Sequence, residues 1–93
     1  MTVYAKDPSS EMDYSFDWAN WLKAGETISS TNWTVEPGGA GALALGTNIE
    51  AGTIRGKYVS GGDIGCRYRL SCEITTSAGR RAERSIIIRV MER

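Results

Sequence analysis

Residues 65–90 read Gly-Cys-Arg-Tyr-Arg-Leu-Ser-Cys-Glu-Ile-Thr-Thr-Ser-Ala-Gly-Arg-Arg-Ala-Glu-Arg-Ser-Ile-Ile-Ile-Arg-Val, and this stretch decides the fold. Cys66, Tyr68, Leu70, Cys72 and Ile74 take every second position, with Arg67, Arg69, Ser71, Glu73 and Thr75 between them. A period of two sends the two sets to opposite faces of a strand. Ser77-Ala78-Gly79 then makes a tight loop in which Gly79 can take a positive φ. Beyond it Ala82, Arg84, Ile86, Ile88 and Val90 alternate with Glu83, Ser85, Ile87 and Arg89. The two runs predict a long antiparallel hairpin with one apolar face. Ile87 and Met91 fall on the other face, where an apolar side chain is either incidental or part of a subunit contact.

Working toward the N-terminus, the same period recurs in shorter pieces. Thr53–Val59 reads as a strand weakened by Gly56, and Gly61-Gly62-Asp63 turns the chain after it. Leu43 and Leu45 begin a strand that ends near Ile49, and Thr27–Val35 forms one that Glu36-Pro37-Gly38-Gly39 breaks. From Asp13 to Trp18 the residues Tyr14, Phe16 and Trp18 share a face. The period then changes: Trp18, Trp21 and Leu22 sit at i, i+3 and i+4, predicting one short helical turn near residues 18–24. Asp17 can cap its start and Gly25 suits the position past its end. The expected fold is all-β, a β-sandwich of six to seven antiparallel strands. Residues 13–93 form its single domain, and residues 1–12 an extended N-terminal arm that elementary considerations leave unanchored.

Chemistry is poorly provided for. The chain has no histidine, which removes the commonest general base and any Ser-His-Asp or Cys-His arrangement. Asp13 and Asp17 on one strand would stand about 13 Å apart, too wide for a glycosidase pair. Gly38–Gly46 lacks the Gly-Lys-Ser/Thr ending of a nucleotide loop and reads as a flexible turn. Asn32-Trp33-Thr34 matches the glycosylation triplet, but Asn32 is expected within a strand and no secretory signal precedes it. Cys66 and Cys72 on one strand would be about 20 Å apart, beyond disulfide reach, and are expected to be buried, reduced thiols. No metal or cofactor motif is present, and no apolar run reaches membrane-spanning length.

Eleven basic and eleven acidic side chains balance, so no global field favours nucleic acid or an anionic membrane. The distribution is uneven. Residues 1–50 hold seven acidic against two basic groups, and residues 51–93 hold nine basic against four acidic. Either the halves neutralise one another within the fold, or opposite faces meet between subunits. Arg67, Arg69, Arg80, Arg81 and Arg89 make a basic face that is either solvated or a protein contact; without interleaved aromatics it is a poor nucleic-acid surface. Tyr14, Phe16, Trp18, Trp21 and Trp33 are core residues, an interface cluster, or a row able to stack on sugar rings.

The residues also carry a family resemblance. Lys6-Asp7-Pro8, Asp13-Tyr14-Ser15-Phe16-Asp17-Trp18 and Trp21-Leu22 resemble the opening of small tailed-bacteriophage proteins known as fibre–tail adaptors. Val59-Ser60-Gly61-Gly62, Gly65, Tyr68, Ile74 to Ile86 and Ile88-Arg89-Val90 are similar to their ending. The likeness spans nearly the whole chain, least clearly in residues 36–52, and Cys66 and Cys72 depart from the family's pattern. It implies a non-enzymatic, immunoglobulin-like virion protein of the neck or tail, made in the host bacterial cytoplasm. Such a protein would link the portal or tail hub to fibres or spikes, with copies of itself around a ring, no cofactor, and no nucleic-acid or membrane partner. It further implies that Met1–Pro8 is an arm used in docking. The expected contact residues are Lys6, Asp7, Pro8, Tyr14, Trp18, Trp21, Arg67, Arg69, Ile87 and Arg89. A carbohydrate- or surface-binding sandwich is the alternative.

Overall fold

The computed structural model describes residues 3–38 and 43–91. Its strands are β1 (Val3–Lys6), β2 (Met12–Asp17), β3 (Ile28–Glu36), β4 (Leu43–Ala51), β5 (Ile54–Gly61), β6 (Arg67–Thr76) and β7 (Arg81–Val90). They form two sheets, one ordered β1-β7-β6-β3 and the other β2-β5-β4. The β6–β7 hairpin is the centre of the larger sheet, paired in unbroken register from Arg67 opposite Arg89 to Thr75 opposite Arg81. Its apolar face is interior as the period demands: Tyr68, Leu70, Cys72, Ile74, Ile86, Ile88 and Val90 are all buried. The smaller sheet answers with Tyr14, Leu43 and Val59, and Phe16, Trp33, Val35 and Leu45 close the sides of the same cluster. Fully burying one aliphatic side chain of this kind is worth roughly 1.5–3 kcal/mol, so this interface holds the sandwich together.

Glycines decide where the sheets can approach. At Gly56 an added Cβ would lie 2.3 Å from Ser15 Oγ and 3.1 Å from the Ile49 Cβ, so β5 passes between β2 and β4 only without a side chain. Gly56 thus enables the strand it was expected to weaken. At Gly62 the φ is +95° and a Cβ would meet Val90 Cγ2 at 2.7 Å and Leu43 Cδ2 at 2.9 Å.

Two expectations need correction. Val3–Lys6, read as part of a loose arm, pair in parallel with Ile87–Val90, so one pairing in the sandwich is not antiparallel. A length of only four residues hid this strand, whose partner lies at the far end of the chain. The chain after Trp18 makes the single turn expected there, with both Trp21 N–H and Leu22 N–H donating to the Trp18 carbonyl, and no helix follows. A single turn lacks the propagation that stabilises helices. Cys66 is exposed in the loop before β6, while Cys72 is buried. The first strand lies on the sheet of β7, and β2, β5 and β4 make the other sheet. The turn expected over Gly38–Gly46 lies partly outside the described residues.

Candidate functional site

The outward side chains of β6 and β7 form rungs set by the register. Arg67 stands opposite Arg89, Arg69 opposite Ile87, Ser71 opposite Ser85, and Glu73 opposite Glu83. On one side β1 adds Val3 beside Ile87 and Ala5 beside Arg89. On the other, β3 adds Glu36 beside Arg69 and Asn32 beside Glu73. The Ser71 and Ser85 hydroxyls join at 2.8 Å across the middle rung. The face is thus divided into an arginine end, carrying exposed Val3 and half-buried Ile87, and a glutamate rung beyond the serines. Like charges directly opposite on neighbouring strands are unfavourable in an isolated sheet. Among the described residues none of these six charged groups makes an ion pair within the chain; the one that forms is Glu26–Arg80.

That pair sits at the opposite end of the sandwich, in the aromatic cluster. Trp18 is 1% exposed and meets Trp21 edge-on at 5.9 Å. The guanidiniums of Arg84 and Arg80 lie over the rings of Trp18 and Trp21 at 4.4 and 4.0 Å. Arg84 Nη1 also donates to the Asp17 carbonyl, tying β7 to the end of β2. Glu26 accepts from Arg80 through both oxygens, from Thr76 Oγ1 at 2.6 Å and from Lys23 N–H at 2.9 Å. The Arg80 bonds foremost, then those from Lys23 and Thr76, hold its carboxyl well below the usual carboxylate range. Asp17, accepting from Ala19 N–H and Thr53 Oγ1, is lowered for the same kind of reason. These bonds clamp the loop between β2 and β3 onto the β6–β7 turn. Both carboxylates are held by these donors and are structural, not poised for proton transfer.

A family model described as "Podophage GP4 fiber-tail adaptor protein gp77" matches residues 6–89. The chain belongs to the podophage fiber-tail adaptor family. It is accordingly a structural, non-enzymatic component of the virion tail, with tail and fibre proteins as its partners. No curated protein matches it.

In this adaptor the ten residues expected at contacts divide sharply. Arg67, Arg69, Ile87 and Arg89 are brought together on the outer face of the larger sheet. Lys6, Tyr14 and Trp18 are interior, at 1%, 8% and 1% exposure, and cannot present their side chains to a partner. Lys6 Nζ donates to the Asp7 and Gly61 carbonyls at 2.8 Å each, fastening the end of β1 to the end of β5 in the other sheet. Burial lowers the pKa of this amine, and neighbouring Asp7 partly offsets the shift. Asp7 and Pro8 open a turn closed by Ser10 N–H on the Asp7 carbonyl, with Asp7 Oδ1 accepting from Ser9 N–H and Oγ. Trp21 is half-buried under Arg80.

The aromatic row therefore packs inward, with Phe16 stacked on Trp33 at 6.0 Å, and offers no flat platform for a sugar. No three acidic or thiol side chains converge among the described residues to hold a metal. Cys72 is inert for a different reason, since burial pushes its thiol up to about 12. Sequence reasoning missed Val3, because the parallel pairing that carries it into the arginine end has no local signal. It also missed the glutamate rung, although the positions of Glu73 and Glu83 about the Gly79 turn would have given it.

Proposed function

We propose that the adaptor binds through the outer face of its larger sheet, with the arginine end formed by Arg67, Arg69 and Arg89 set against an acidic surface of a portal, tail-hub or fibre protein. Copies of the chain stand side by side around the tail axis, each presenting this face in the same orientation. The observation that carries the reading is the stacking of like charges in register, Arg67 on Arg89 and Glu73 on Glu83, none of which forms an ion pair with another described residue. A face so arranged is costly alone and favourable against a complementary one, which fixes orientation more than affinity. Val3 and Ile87 give the basic end an apolar centre that a partner can desolvate. The mechanism is passive: a rigid sheet presents a patterned surface.

Co-purification of the full chain with tail and fibre proteins tests this. Arg67→Glu with Arg89→Glu is expected to abolish partner recovery while the melting temperature stays within a few degrees of the parent. Undiminished recovery by that variant rejects the outer face as the contact.

A further inference from the structure

The outer face of the smaller sheet has the opposite character to that of the larger one. On β5, Val59 is buried in the core between the sheets, so by alternation Ile54, Gly56, Tyr58 and Ser60 belong to the outward set. The register sets Asp17, Ser15 and Asp13 of β2 beside Ile54, Gly56 and Tyr58. On the other side it sets Ala51 and Ile49 of β4 beside Ile54 and Gly56. The solvent face of an antiparallel sheet is ordinarily polar. Here Tyr58 and Ile54 are 38% and 36% exposed, and half-buried Ile49 lies diagonal to both. The three form one apolar patch.

Carboxylates border that patch. Asp13 and Asp17 run along β2. The Glu11 carboxylate comes within 3.8 Å of the point where a Gly46 Cβ would stand, which is itself 3.5 Å from the Tyr58 Cβ. β2 and β4 contain no lysine or arginine, and Arg55 and Lys57 fall in the inward set of β5 with Val59. None of the three carboxylates forms an ion pair with another described residue. The two sides of the sandwich thus carry opposite charge around small apolar centres. Arg67, Arg69 and Arg89 stand about Val3 and Ile87 on one side, and Glu11, Asp13 and Asp17 about Tyr58, Ile54 and Ile49 on the other.

We propose that the outer face of the smaller sheet is a second docking surface, which takes a lysine- or arginine-bearing protein surface with an aliphatic or aromatic side chain at its centre. This rests on the arginine end serving one of the tail and fibre partners. The other partner then needs a surface of its own, and the far side of a rigid sandwich lets both bind at once. Charge complementarity selects the occupant: these carboxylates repel an acidic surface of the kind the arginine end takes, so unlike partners are sorted to opposite sides. Tyr58, Ile54 and Ile49 supply the area to be desolvated. A second copy would have to bring its own arginine end, which is engaged elsewhere.

The test measures binding of the full-length chain to two purified probes, the fibre protein and the fibreless tail of the same phage. Asp13→Lys with Tyr58→Ser is expected to weaken one probe by about tenfold and leave the other unchanged. Arg67→Glu with Arg89→Glu should show the reverse pattern. Asp13→Asn alone should weaken the first probe by about threefold and guards against misfolding of the double variant. If the Asp13 and Tyr58 variant binds both probes like the parent, or weakens both alike, the second surface is rejected whatever the arginine variant does. Loss of the same probe by both double variants also overturns the proposal, since the two faces then serve one partner. An arginine variant without effect rejects the earlier reading, while loss of a single probe by the Asp13 and Tyr58 variant still upholds this surface. Salt-sensitive dimerisation of the chain alone, abolished by Asp13→Lys, overturns the proposal because the occupant is then a second copy.

Discussion

The two sheets of this adaptor are built on different principles. In the four-stranded sheet, side chains do the organising: Leu70, Ile74, Ile88 and Val90 are fully buried at regular intervals, and register follows from the pattern. In the three-stranded sheet, the decisive positions are those without a side chain. β5 runs between its neighbours because residue 56 is glycine, and the chain leaves it for β6 because residue 62 is glycine at positive φ. Its register also shifts between Leu45 and Asn48, whereas the larger sheet's hairpin is unbroken. One sheet is specified by what fills space and the other by what leaves it open. The second kind of specification is invisible to an apolar count.

The contrast breaks first at the centre of the larger sheet. Leu70→Ala should cost about 3 kcal/mol in urea unfolding, as a large-to-small change in a filled site. A loss below about 1 kcal/mol would mean that the core is not packed there. Next come Gly56→Ala and Gly62→Ala, each expected to cost about 2 kcal/mol by overpacking, with strain at positive φ added for Gly62. Gly52→Ala is the control, since its Cβ would meet nothing within 4 Å and only its φ of +60° is strained. Equal costs at Gly62 and Gly52 would leave strain alone as the reason for Gly62, and no cost at Gly56 would remove close approach there.

Acid sharpens the comparison where the loop after β2 is clamped to the β6–β7 turn. The folded pKa of Glu26 is lowered from about 4.5, so its contribution is complete above that value and is lost as pH falls below it. Thermal scans between pH 7 and pH 3 should show the parent losing stability below about pH 4.5 more steeply than Glu26→Gln. Parallel curves would deny the clamp a stabilising role. Thiol labelling comes next: exposed Cys66 should react at once, and Cys72 only at the rate of unfolding. The smallest effect is on the outer face, where Glu83→Gln should stabilise the isolated chain by roughly 0.3 kcal/mol by relieving the glutamate rung.

The β6–β7 hairpin, its inward face and the positive φ of Gly79 (79°) were legible because they depend on neighbours in sequence. So was the outward placement of Arg67, Arg69, Ile87 and Arg89. Lys6 was not, since a lysine six residues from the start gives no hint that Gly61 will receive its ammonium. Tyr14 and Trp18 were readable as a stripe with the core as one of its possible covers, and the choice was left open because a stripe does not say which surface covers it. Gly56 was read as a weakness for the same reason: the Ser15 hydroxyl that would crowd a Cβ comes from a strand some forty residues earlier.

By itself, then, the sequence determined periodicity: which residues share a face, where the chain must turn, and that no histidine-based chemistry is possible. Tertiary structure alone decided the parallel pairing of Val3–Lys6 with Ile87–Val90, the interior fate of Lys6 and Trp18, and the meeting of Tyr4, Tyr14, Phe16 and Ile86 around one cleft. The physical reason is range. Alternation is imposed by backbone geometry within a few residues, whereas burial and edge pairing depend on which distant segment arrives, and that is set by the packing of the whole sandwich.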